Sequence, residues 1–250
     1  MNGYLADRKK IPNVLTVAFI FLATAAILQA QLSPQQISED IDLAIKNYFV
    51  MTNPLKISVD EKGLVILNGQ VKTLQAKYRI NDIVAAVTGV QSIQNDLTVT
   101  PTVADDKALG DILQEMLTSI LSVAEPARIK VGVKEGVVTL TGEVKYYREK
   151  LIVQNYFYHQ RGVKEIINQL VVLPPPEPVS DGTLRDMLHE VLENRLLLDE
   201  VVTFTVNKGV ITVKGEVPTL WNKLKVEEEF LRVLGVRRVV NDLKIHIPTR

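Results

Sequence analysis

Gly63-Leu64-Val65-Ile66-Leu67-Asn68-Gly69-Gln70-Val71 recurs as Gly136-Val137-Val138-Thr139-Leu140-Thr141-Gly142-Glu143-Val144 and again as Gly209-Val210-Ile211-Thr212-Val213-Lys214-Gly215-Glu216-Val217. Each copy begins 73 residues after the last. A second block follows at a fixed distance, starting at Gly89-Val90, Gly162-Val163 and Gly235-Val236 and ending on Asn95-Asp96-Leu97, Asn168-Gln169-Leu170 and Asn241-Asp242-Leu243. Glycines and asparagine keep the same period through both blocks, so the chain is built from three copies of one unit. A unit of this size is large enough for a small domain, although marginal alone.

Outward from these blocks, each unit reads helix, strand, strand, helix, strand. Ser33-Pro34-Gln35-Gln36 offers an N-cap, a proline at the first helical position and a capping-box glutamine. Ile37, Ile41, Ala44, Ile45 and Tyr48 then follow helical spacing. Leu109, Ile112, Leu113, Met116, Leu117 and Ile120 do so in the second unit, and Leu184, Met187, Leu188, Val191 and Leu192 in the third.

A short alternating strand (Ile57, Val59; Val131, Val133; Phe204, Val206) leads through Lys62-Gly63, Glu135-Gly136 or Lys208-Gly209 into the glycine-bounded strand. Glycine supplies the positive φ of a tight hairpin. Asp60-Glu61-Lys62-Gly63 holds one extra residue, so the first hairpin should be a residue longer. In the second helix the columns Leu74/Tyr147/Leu220, Tyr78/Leu151/Leu224, Ile80/Val153/Val226 and Val84/Phe157/Phe230 are apolar in all copies, which predicts one face laid on a sheet. Gly89, Gly162 and Gly235 sit where a helix cap belongs. The asparagine marks an irregularity or turn in the last strand. The expected fold class is α+β: three tandem αββαβ modules, each with two helices on one face of a three-stranded sheet.

Gly-x-Val/Ile-x-Leu/Val-x-Gly-x-Val followed by Gly-Val-x-x-Val/Ile-x-Asn-x-Leu resembles the BON domain, named for bacterial osmotic-shock-inducible and nodulation proteins. The modules fall at 35–101, 106–173 and 180–248, with a proline-rich linker at 174–179. The resemblance implies a non-catalytic module exported to the bacterial envelope, attached to phospholipid membranes and supporting envelope integrity under osmotic or other stress. Gly63, Gly69, Gly89, Gly136, Gly142, Gly162, Gly209, Gly215 and Gly235 then read as structural glycines.

The first thirty residues stand outside the repeat. Arg8, Lys9 and Lys10 precede an apolar run from Val14 to Leu28, closed by Gln29-Ala30-Gln31. That is the form of a secretory signal peptide at 1–30, and the run is shorter than the ~20 residues of a spanning helix. Leu28 is a poor residue three before a cut after Ala30, and Ala23-Thr24-Ala25 shortens the apolar run, so an uncleaved N-terminal anchor is the alternative. Both readings export the rest of the chain to the periplasm or cell envelope.

The 250 residues carry 29 Lys plus Arg against 29 Asp plus Glu, 46% hydrophobic residues and no cysteine. A nucleic-acid binder relies on excess cations, so no nucleic-acid partner is expected. Disulfides and Cys-ligated metal are excluded. His159, His189 and His246 occupy unrelated positions in the repeats, without ligand spacing. There is no Gly-x-Ser-x-Gly elbow, Walker loop or dinucleotide fingerprint, and Glu227-Glu228-Glu229 reads as a solvated helix face. No enzyme activity, cofactor or metal is expected.

Binding surfaces are better represented. Lys145, Arg148 and Lys150 cluster near the start of the second module's second helix, and Arg161 and Lys164 near its end, with Tyr146 and Tyr156 as the aromatics outside the core columns. Cations beside tyrosines suit a lipid head-group surface. Arg232, Arg237 and Arg238 form a second, smaller basic candidate. With the leader removed after Ala30, 26 cations face 28 anions, and no module is basic overall, so contact with an anionic phospholipid membrane must come from local patches. Envelope proteins bound by a scaffold are the alternative partner. The prolines from Pro174 to Pro178 are expected to be a stiff spacer that holds the third module away from the second.

Overall fold

The first helix of each module begins where a side chain can satisfy its orphan amides. The computed structural model describes residues 32–49, 54–100, 105–120, 128–174, 177–198 and 201–246, so the leader lies outside the described residues. Helix α1 (Pro34–Tyr48) carries the expected capping box: Gln36 N–H donates to Ser33 Oγ at 3.2 Å and Ser33 N–H to Gln36 Oε1 at 3.0 Å. Asp105 caps α3 (Asp106–Ser119) and Ser180 caps α5 (Asp181–Val191). Each buries a narrow i, i+4 stripe: Ile37, Ile41, Ile45; Leu109, Leu113, Leu117; Leu184, Leu188. Of the shoulder positions expected in the core, Ile120, Val191 and Leu192 are buried, whereas Tyr48 is 65% and Ile112 50% exposed.

Strands β1 (Lys56–Val59) and β2 (Leu64–Val71), β4 (Ile129–Lys134) and β5 (Val137–Val144), and β8 (Val202–Asn207) and β9 (Val210–Val217) form antiparallel hairpins. The third strand of each module lies parallel to the middle one, on its other side. It is continuous as β3 (Ser92–Val99) in the first module. It is broken into β6 (Glu165–Asn168) and β7 (Val171–Val172) in the second, and β10 (Arg238–Asn241) and β11 (Lys244–Ile245) in the third. A parallel strand needs a crossover, which α2 (Leu74–Ala85), α4 (Tyr147–Phe157) and α6 (Leu220–Leu231) supply.

The hairpins follow the count of residues. Lys134 pairs with Val137, and the two loop residues Glu135 and Gly136 have φ of 51° and 77°, the primed turn that suits strand twist. The Asp106 carboxylate accepts from both of their amides, and Asp181 does the same for Lys208 and Gly209. The first hairpin is one residue longer, and Asp60 serves it from within the loop by accepting from Lys62 and Leu64 N–H. All nine repeat-block glycines adopt positive φ.

The asparagine has a more definite role than a mark of irregularity. Asn95, Asn168 and Asn241 each donate Nδ2 to a carbonyl of the second helix, at Lys77, Lys150 and Lys223. Each accepts through Oδ1 from the amide two residues on. One side chain thus pins helix to strand in every module.

The second helix departs from its expected single face. Ile80, Val153 and Val226, with Val84, Phe157 and Phe230, are fully buried against their own sheets. The other two columns lie about 120° away around the helix, where Leu74, Tyr78, Tyr147 and Leu220 meet the adjacent module and Leu224 is exposed. Leu74 of α2 is buried in the second module's core, and Leu220 of α6 in the first module's. Apolar columns therefore serve two packing surfaces. Nor does the proline-rich linker hold modules apart: Pro174 lines a cleft shared with the third module, and all described residues belong to one compact unit. A linker of ~3 Å per residue spans only a module's width, so apolar helix faces decide the spacing. Pro175 and Pro176 lie outside the described residues.

Candidate functional site

Three junctions join the modules, each placing the start of one module's second helix against the end of the next module's. At the first, Lys72, Thr73 and Thr100 face Gln160, Arg161 and Val163 across a cleft of about 600 Å³. Tyr78 packs edge-to-face on Tyr158, with ring centroids 5.4 Å apart. At the second, Lys145, Tyr146 and Leu173 face Arg232, Leu234 and Arg237 across about 340 Å³. At the third, α6 meets α2, with Leu220 and Ile245 packed on the first module's core and Trp221 beside Ile83 and Val87. The last contact returns to the first module, so the junctions close into a cycle.

The repeat period explains the chemical differences between junctions. Lys72 and Lys145 occupy one column, whose third member is Pro218. Lys164 and Arg237 occupy another, whose first member is Gln91. Two junctions therefore take cations from these columns, and the third, where Arg79 and Asp82 stand beside apolar side chains, takes none.

Electrostatics at the helix contacts reflect burial among like charges. Burial, then Glu228 and Glu227, raise the Tyr147 hydroxyl above its usual pKa. Burial and Glu228 raise Asp82, against Lys225 and Arg79. Burial alone would raise Glu229, but a hydrogen bond and the charge of Lys225, with Arg232 and Arg195, hold it below the usual carboxylate range.

The second cleft joins the two basic stretches read from sequence. Lys145 and Tyr146 come from the second module, Arg232 and Arg237 from the third. Glu149 fixes the first pair: it is buried, and its carboxylate accepts from Lys145 N–H at 2.8 Å and Tyr146 N–H at 3.1 Å. It therefore turns inward rather than diluting the surface charge. Arg148 lies over the Tyr146 ring, 4.7 Å from its centroid. Arg237 continues onto the sheet of the third module, where it lines a shallow basin with Arg238 and Lys208.

Other candidates separate from this cleft. Arg161 lines the first junction, with Lys164 exposed three residues beyond it in the chain. Tyr156 is exposed on α4, away from both. Lys150 donates Nζ to the Leu170 carbonyl at 3.0 Å, as Lys223 does to Leu243, and so belongs to the helix–strand clamp. Arg232 pairs with Glu228 and Glu229, which offsets its charge. Lys72 and Lys208 were missed; the column shared by Lys72 and Lys145 was the available signal for the first. His159 stacks on Tyr158, His189 lies against Phe204, and His246 reaches Glu216. Among the described residues, no group of three or more His, Asp or Glu could hold a metal ion. No described helix is long and apolar enough to cross a membrane.

A sequence model of the BON domain matches residues 35–101, 105–174 and 180–246. No curated protein matches the chain. Among solved structures, the chain is similar to the C-terminal domain of CdsD, a structural protein of the type III secretion system of Chlamydia trachomatis. The identity is 17%, covering 84% of this chain and 96% of that one, with a TM-score of 0.22. It is also similar to the periplasmic domain of the type III secretion inner-membrane protein PrgH from S. typhimurium, at 11% identity, 78% and 93% coverage and a TM-score of 0.21.

Proposed function

The chain belongs to the BON domain family, in three tandem copies, and from that premise we propose that it is an exported bacterial envelope protein that attaches peripherally to anionic phospholipid membranes. In this reading it binds without catalysis and supports envelope integrity under osmotic or other stress. The observation that carries it is the joining of Lys145, Tyr146 and Arg237 in one cleft that opens onto Arg238 and Lys208. A phosphate head group meets cations from two modules there, and Tyr146 suits the head-group level with its amphipathic ring. The periplasm is the matching compartment, in keeping with the leader.

Each cation near an anionic surface contributes about 1 kcal/mol. The Arg237→Glu/Arg238→Glu variant should therefore lower association with phosphatidylglycerol vesicles by roughly tenfold to a hundredfold. Lys107→Glu/Arg185→Glu, which makes the same charge change on exposed positions of α3 and α5, should leave association nearly unchanged. Co-sedimentation of the full chain with phosphatidylglycerol and phosphatidylcholine vesicles measures both. Equal binding to the two lipids, or no response to the reversal, would contradict the reading.

A further inference from the structure

The first strands of the three modules lie at sheet edges, and they are not guarded alike. An edge strand offers unpaired peptide groups to any other chain, and charged side chains are the usual protection. Strand β1 carries Lys56, and β4 carries Lys130 and Lys134. Strand β8, Val202-Thr203-Phe204-Thr205-Val206-Asn207, carries no charge. It is also rich in the residues that favour extended structure.

Register fixes which groups are on offer. Asn207 and Val210 close a two-residue hairpin and so exchange both hydrogen bonds. Alternation then turns the peptide groups of Phe204 and Val206 away from β9. Among the described residues β8 packs against β9 beside it and against α5 and Phe230 of α6 beneath it.

The cations of this module stand at increasing distance from that edge: in the hairpin, one strand in on β9, and two strands in on β10. Lys214 is opposite Thr203, Arg238 is opposite Val210, and Lys208 is in the hairpin. None of the three has a carboxylate partner among the described residues. The second module has Thr141, Glu165 and Glu135 in the same columns. Thr205, Thr212 and Val240 are paired across the open face, which therefore offers hydroxyls and little aliphatic surface. It has no wedge to bury in a bilayer, and two copies pairing through β8 would bring like charges together.

We infer that the β8 edge takes an extended acidic segment of a partner protein by strand addition, its backbone paired with Phe204 and Val206 and its carboxylates facing Lys214 and Lys208. This surface shares Thr205 and Lys208 with the basin beside the lipid cleft, and Lys214 lies outside both.

The test titrates the full chain with a labelled eight-residue peptide alternating Glu and Val, the same peptide N-methylated at alternate residues, and its Lys–Val counterpart. The Glu–Val peptide should bind. N-methylation, the Lys–Val sequence, Thr205→Glu and Lys214→Glu should each weaken binding by at least about tenfold, with far-UV circular dichroism unchanged. Undiminished binding of the N-methylated peptide, or by both variants, would overturn the inference. So would displacement of the peptide by phosphatidylglycerol vesicles whose own binding Thr205→Glu and Lys214→Glu weaken, which makes the face a membrane surface. A chain dimer abolished by Thr205→Glu would overturn it too, because the edge would then pair with itself.

Discussion

Gly142→Ala should unfold the chain, second module included, under conditions where the native chain is fully folded. Gly142 lies in β5 with φ of 117°, a backbone conformation that a residue with a Cβ adopts only under strain. An added Cβ would stand 2.0 Å from the Arg128 carbonyl oxygen, in the chain entering β4. That neighbour is main chain leading into the β4–β5 hairpin and cannot rotate away. Strain of about 1–3 kcal/mol at the dihedral adds to about 1–3 kcal/mol for forcing atoms into filled space. The expected loss of roughly 2–6 kcal/mol reaches the stability of a whole small domain at its upper end. Urea unfolding followed by far-UV circular dichroism measures it. Gly182→Ala is the contrast, because only the Ser180 hydroxyl lies near, at 3.7 Å, and φ there is ordinary. A Gly142→Ala chain as stable as the Gly182→Ala chain would contradict the close approach.

Leu74→Asp should open the first junction while leaving the α2 sequence able to form a helix. Leu74 is the first residue of α2, where an aspartate favours the helix dipole by about 0.3–1 kcal/mol. It is also 3% exposed and buried in the core of the neighbouring module. A carboxylate there has lost water and found no partner, a cost of about 3–5 kcal/mol. The second effect wins by several kcal/mol, so the variant should be destabilised although its helix propensity improves. Loss of the Tyr78–Tyr158 contact should appear in near-UV circular dichroism. Ile112→Asp, on the half-exposed shoulder of α3, should change stability by only about 0.5 kcal/mol. If Leu74→Asp cost no more than Ile112→Asp, the junction would not be a packed interface.

The repeat blocks disclosed the fold because they hold residues with few physical uses. Gly136 and Gly209 sit at the positive φ of a primed turn, and the extra residue before Gly63 lengthens that loop as the count requires. The buried face of β2 is Val65, Leu67 and Val71, which the continuous apolar run Leu64-Val65-Ile66-Leu67 does not single out. The asparagine clamp was less legible, because Asn serves turns as readily as it bridges a strand to a helix carbonyl. The helix-two columns concealed more. Leu74 and Tyr78 read as extensions of the stripe at Ile80 and Val84, since hydrophobic periodicity reports that a side chain is covered and not what covers it. Contacts between modules have no period of their own. For the same reason, Lys145 and Arg237, far apart in the chain, read as two patches and stand in one cleft. Lys150 looked like a surface cation, and its bond to the Leu170 carbonyl shows what its stem spans.

The central claim is that the three copies act as one closed unit whose junctions make the binding surface. The chain's one tryptophan reports on it directly. Trp221 belongs to the third module and lines the contact with the first, beside Ile83 and Val87. Leu67→Ala removes a fully buried side chain from the first module at a cost of about 2–5 kcal/mol. Urea unfolding of the native chain and of Leu67→Ala, followed by Trp221 fluorescence and by far-UV circular dichroism, compares the two ends of the cycle. A closed unit predicts one coincident transition by both probes, moved to lower urea by the same amount in the variant. A Trp221 transition that stays at its native midpoint while circular dichroism shows the first module melting early would contradict it.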